Sequence, residues 1–203
     1  MLRKHMVRLF RAPVRAFGLA AISLSLCALG ACQPTVRTAD DFHRAGIAAI
    51  QADDLATALE NLDQAVALES SNPTILVNRG LVHDELGEYE AAIADYTAAI
   101  TLDQTLGEAY YNRANAHHNL KQFEEAVADY SEAIEQKEDF AYAYVNRAIN
   151  LEALGEQERA IADLTRAAGI FEKNGESADV KRVTAKLESL KRREATDEQA
   201  ERL

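Results

Sequence analysis

Three asparagines, Asn78, Asn112 and Asn146, recur at a spacing of 34 residues, and each is followed by an arginine: Arg79, Arg113 and Arg147. An amide side chain offers a donor and an acceptor together, enough to hold one peptide unit of an extended chain. The histidines suggest metal chemistry at first sight. His83 and His117 share the same spacing, and His118 follows directly. If each belongs to a separate stacked helix pair, these lie about 10 Å apart, whereas zinc needs ligand atoms at about 2.1 Å. His83 and His117 therefore do not share an ion, and no HxxxH or HExxH pair occurs. Nor does the chain carry GxGxxG, a P-loop, GxSxG or CxxC. The expectation is a protein without catalytic residues, metal or cofactor, whose polar residues bind or brace.

The spacing leads to the elements that must position these residues. Shifted by 34 residues and with no gap, 108–134 aligns with 74–100 and 142–168, and more weakly with 40–66. Four units follow: unit 1, 39–72; unit 2, 73–106; unit 3, 107–140; unit 4, 141–174. Each reads as two helices joined by a short polar break such as Leu86-Gly87-Glu88. The second helix carries a buried stripe at i, i+4, i+7, for example Ala126, Tyr130 and Ala133. Small residues recur where the two helices approach: Gly46, Gly80, Ala114 and Ala148 on the first, Ala58, Ala92, Ala126 and Ala160 on the second.

The period and these small and aromatic positions resemble the tetratricopeptide repeat, over 136 of 203 residues. The resemblance implies an all-α, right-handed superhelical solenoid of four helix–turn–helix units. It further implies that the first helices line a concave groove. Asn78, Asn112 and Asn146, at the sixth position of their units, then resemble the asparagine ladder of long members of the family. Leu81, Tyr111, Asn115, His118, Asn119, Tyr142 and Val145 would line the same groove, with Ile149 among the further residues facing it. The carboxylate clamp found in chaperone adaptors of this family is absent. His43, Ile47, Glu108 and Asn112 stand where Lys, Asn, Lys and Arg are expected.

Arg79, Arg113 and Arg147 hold the seventh position, and Asp95, Asp129 and Asp163 the twenty-third; unit 1 lacks both, with Ala45 and Asn61. A charge near a helix seam is costly unless paired. Each Arg is therefore expected to pair with the Asp of its own unit, pairing with a neighbouring unit being the alternative. After unit 4, residues 175–194 include an amphipathic helix with Val180, Val183, Leu187 and Leu190 on one face, suited to cap the solenoid. Residues 195–203 lack an apolar stripe and are expected to form a disordered tail.

Residues 1–31 hold five of the 22 Lys and Arg and none of the 33 Asp and Glu, so the remainder carries a net charge of −16. Such a surface repels nucleic acid and steers a basic partner inward. The basic start and short apolar run to Ala31 have the layout of a signal peptide. Leu29-Gly30-Ala31-Cys32 resembles the lipobox of bacterial lipoproteins, which implies cleavage before Cys32 and lipid on its thiol. Residues 32–38 would then be a lipidated tether, spanning roughly 20 Å when extended. Gln33 after the cysteine favours, by the same resemblance, the outer membrane and the periplasm-facing side. The overall expectation is an envelope lipoprotein that binds a peptide segment of another envelope protein as an adaptor. The alternative is a structural lipoprotein that self-associates into a homo-oligomer.

Overall fold

The computed structural model describes residues 37–201. The expected signal peptide, Cys32 and all but the last two residues of the expected tether lie outside the described residues. Within them the chain is all helical: α1 (Ala39–Gln51), α2 (Leu55–Leu68), α3 (Pro73–Glu85), α4 (Tyr89–Leu102), α5 (Gly107–Asn119), α6 (Phe123–Gln136), α7 (Ala141–Ala153), α8 (Gln157–Asn174) and α9 (Ser177–Glu201). The first eight form four helix–turn–helix pairs, one per 34-residue unit, and each pair packs on the next. None of the described helices is long and apolar enough to cross a membrane.

The pairs close on their small residues. Ala58, Ala92, Ala126 and Ala160 are each 0% exposed. A Cβ on Gly46 would meet Leu62 at 2.8 Å, and one on Gly80 would meet the Tyr96 ring at 2.7 Å. The turn between the helices of every unit places one residue in the left-handed region: Asp53, Gly87, Lys121 and Gly155, with φ of 59°, 78°, 60° and 79°. Glycine occupies two of the four, and the other two accept the strain of a side chain there. Thr38 opens the array with a reciprocal capping box to Asp41, and Asn72 caps α3 ahead of Pro73.

At the far end α9 lies against α8, with Val183 and Leu190 in the core and Val180 and Leu187 packed beside them. Glu152 of α7 ties it down through Lys186 (2.5 Å) and Arg193 (2.6 Å). Burial raises the Glu152 carboxyl, but these two cations more than offset that and leave it below its usual range. The helix continues to Glu201 rather than ending at residue 194. The segment after 194 has no apolar stripe, but it also lacks glycine and proline and contains good helix formers such as Ala195, Glu198 and Ala200. It therefore extends a helix already started.

Candidate functional site

The arginines brace each unit to itself and to the one before. The guanidinium of Arg79 donates to both carboxylate oxygens of Asp95, at 2.8 and 2.6 Å. Arg113 does the same to Asp129 (2.7 and 2.6 Å) and Arg147 to Asp163 (2.7 and 2.7 Å). The remaining nitrogen reaches back to the second helix of the preceding unit: Asp63, Thr97 and Ser131, at 2.9, 3.0 and 2.9 Å. The sequence offered own-unit and neighbour pairing as alternatives; each arginine makes both contacts. Hydrogen bonds donated to the aspartates, against the opposing effect of burial, raise all three guanidinium pKa values. His83 and His117 pack behind these pairs, with Nδ1 at 2.7 Å from Glu88 and 2.6 Å from Gln122. Among the described residues no group of His, Cys, Asp and Glu gathers into a metal site.

The ladder asparagines differ from one another. Each faces the preceding unit, whose fifth and ninth positions supply the opposing side chains. Asn146 donates to the Tyr111 hydroxyl at 3.1 Å and to Asn115 Oδ1 at 3.2 Å. Asn78 meets His43 Nε2 at 2.7 Å. The positions that correspond for Asn112 are Val77 and Leu81, whose side chains have no hydrogen-bonding group. Its Nδ2 is buried without a partner, and the residue is 8% exposed.

The seam between units 3 and 4 is a closed polar network. Tyr130 donates to Asn115 Oδ1 at 2.6 Å, His118 Nδ1 lies 2.9 Å from Asn150 Oδ1, and Asn150 donates to the Asn146 carbonyl at 2.7 Å. Asn115, His118, Asn119, Tyr130, Asn146, Ile149 and Asn150 enclose a half-open cleft of about 210 Å³. Burial raises the Tyr130 hydroxyl pKa. Burial also raises that of Tyr111, which Asn115 and Asn146 partly counter. A second cleft, of about 430 Å³, lies at the N-terminal end of α5, lined by Glu108, Tyr111, Asn112, Lys137 and Phe140 among others.

Two expected groove residues also make contacts with the capping end of the array. Tyr142 sets its ring edge against Phe171 (centroids 5.1 Å apart) and its hydroxyl 3.4 Å from Asp179 of α9. Val145 packs against the core shared by α8 and α9. The apolar face of α9 is covered chiefly by α8, and the start of α7 adds these two side chains at its edge. The sequence reading missed Tyr130 and Asn150. Asn150 had a signal, being polar at a tenth position otherwise held by Ala48, Val82 and Ala116.

The family models agree with this geometry. One for the tetratricopeptide repeat matches residues 107–140, and a second, described as TPR repeat, matches 84–121. Residues 84–140 match tetratricopeptide repeat models. Among solved structures, MamA is similar at 22% identity and TM-score 0.66, covering 68% of this chain and 81% of that one. A MamA fragment from Desulfovibrio magneticus RS-1 is similar at 18% identity and TM-score 0.64, over 76% and 95%. The first TPR domain of Spaghetti (RPAP3), bound to the HSP90 peptide SRMEEVD, is similar at 22% identity and TM-score 0.57, over 58% and 94%. A comparison with curated proteins gives no match. At these identities the structural likeness establishes the repeat fold.

Proposed function

We propose that this repeat protein is an interaction scaffold whose groove receives an extended segment of another protein. Asn112 carries the reading. A buried amide N–H without an acceptor costs about 1–3 kcal/mol, and unsatisfied groups of this kind are rare enough to require a reason. The backbone carbonyl of a bound segment is the acceptor that its place in the ladder suits. The cleft that Asn112 lines and the amide cleft further along α5 have the mixed amide, aromatic and apolar lining that a peptide needs. The peptide bound by the RPAP3 domain is acidic. Glu108 and the surrounding carboxylates make such a ligand unsuited here, so the partner we propose is neutral or basic.

We place the scaffold at the bacterial cell envelope, lipid-anchored through Cys32 at the outer membrane and facing the periplasm. A short tether would then hold the groove close to the membrane. The fold is of the non-enzymatic scaffold type. The test is a photo-crosslinking residue at Asn119, which is exposed and lines the cleft, in native cells. A discrete partner lost on Asn112→Ala supports the reading. Capture of only other copies of the chain turns it toward self-association, and unchanged capture by Asn112→Ala removes Asn112 from the account.

A further inference from the structure

The charges at the seam between units 2 and 3 indicate which side chains the bound segment carries. Asp84 holds the twelfth position of unit 2, where unit 3 has His118. His118 closes on Asn150 of the next unit at 2.9 Å. The residue in the register of Asn150 for Asp84 is Ala116, which has nothing to donate. Asp84 Oδ1 is accordingly buried without a hydrogen bond. No ion pair to it forms among the described residues. Tyr96, 0% exposed, packs with Ala116 and Val77 at the same seam, and its hydroxyl is likewise unpartnered. With Asn112 Nδ2, these are the three buried side-chain atoms without partners among the described residues.

The field at this place is negative from several sides. Asp84, Glu85 and Glu108 all act on the Tyr96 hydroxyl, and Asp84 acts also on Tyr130, which lines the amide cleft. Asn112 and Ala116 are one helical turn apart on α5. By the register of the repeat, the orphaned donor and the orphaned carboxylate therefore belong to the same seam, their register positions one helical turn apart along α5.

We propose that this seam is a specificity subsite for a lysine or arginine of the bound segment, its cation pairing with Asp84 while a backbone carbonyl beside it takes Asn112 Nδ2. The proposal rests on the peptide-binding reading and adds to it the sign of the recognised charge. A carboxylate oxygen buried without a hydrogen bond is costly, and a cation delivered by the ligand supplies both a hydrogen bond and a countercharge. An anionic side chain would instead meet the carboxylates of Asp84, Glu85 and Glu108, so the seam selects by repulsion as well as attraction. Burial, then Glu85, holds the Asp84 carboxyl above its usual range, and an approaching cation would reverse that direction.

The test is selection of random peptides displayed against the full chain in detergent micelles. Three receptors are run in parallel: wild type, Asp84→Asn and Asn112→Ala, each first shown by circular dichroism to melt as a folded helical protein. Peptides selected by the wild type should be enriched in Lys or Arg at one fixed position, by about tenfold over Glu. Asp84→Asn should lose that enrichment while still selecting peptides, and Asn112→Ala should select weakly whatever the charge. Binders without a basic position, or a preference that survives Asp84→Asn, would overturn the subsite and leave the groove intact. Failure to select any peptide would overturn the subsite and the groove reading together.

Discussion

The seam between units 2 and 3 and the seam between units 3 and 4 are built from one repeat, yet their polar groups end differently. At the second, Tyr111, Asn115 and His118 meet Asn146 and Asn150, and the network closes on itself. At the first, Val77, Leu81 and Asp84 meet Asn112 and Ala116, and three buried polar atoms are left without partners. The difference lies in the opposing wall, since the asparagine at the sixth position is common to both. A repeat thus fixes where a side chain stands, and its neighbour one unit away decides whether it is paired within the fold or left without a partner. On this account Asn146 is a structural residue and Asn112 a binding one.

The arginine braces provide the control for this comparison. Arg113 crosses the first seam and Arg147 the second with the same three contacts each. Arg113→Met and Arg147→Met should each cost about 3 kcal/mol in urea unfolding, because each strands a buried aspartate. Unequal losses would mean that the seams differ in more than their groove residues. Next in size is a transplant. Val77→Tyr with Leu81→Asn gives the first seam the wall of the second, offering acceptors to Asn112 and Tyr96. Stability should rise by about 1–2 kcal/mol, and capture of a partner should fall. The smallest effects come from the twelfth position. His118→Ala, which strands Asn150, should cost about 1 kcal/mol. Asp84→Asn should raise Tm by about 2 °C at neutral pH, a value kept small because the carboxylate is partly solvated. The sign follows from a folded-state pKa raised above the unfolded value. Ionisation of Asp84 destabilises the fold above that folded pKa, so the gain from Asp84→Asn should disappear as pH falls below the usual carboxylate range.

Much of this was legible in the sequence. The period of 34 residues, the small residues at the helix crossings and the joint appearance of Arg and Asp in units 2–4 located the helix pairs and their braces. The asparagine ladder was visible as well, but as three equal rungs. Their inequality was written at the fifth and ninth positions of the preceding units: His43, Val77 and Tyr111, and Ile47, Leu81 and Asn115. Its meaning depends on which side chains face each other across a seam, and periodicity along one helix does not give that. Tyr142 and Val145 shared the groove pattern of the other units, but their contacts with α8 and α9 at the capped end were not visible in it. Tyr130 was visible as part of a buried stripe, whereas the direction of its hydroxyl, out toward Asn115, was not.

The central claim is that one ladder asparagine is free for a ligand and another is spent on the fold. The most direct test is urea unfolding of the unliganded full chain with Asn112→Ala beside Asn146→Ala. The account predicts a loss of about 1–2 kcal/mol for Asn146→Ala, which removes two hydrogen bonds from the network of Tyr111 and Asn115. It predicts no loss for Asn112→Ala, which removes an unpaired donor. Equal losses at the two positions would contradict it, because Asn112 would then be as much a part of the fold as Asn146.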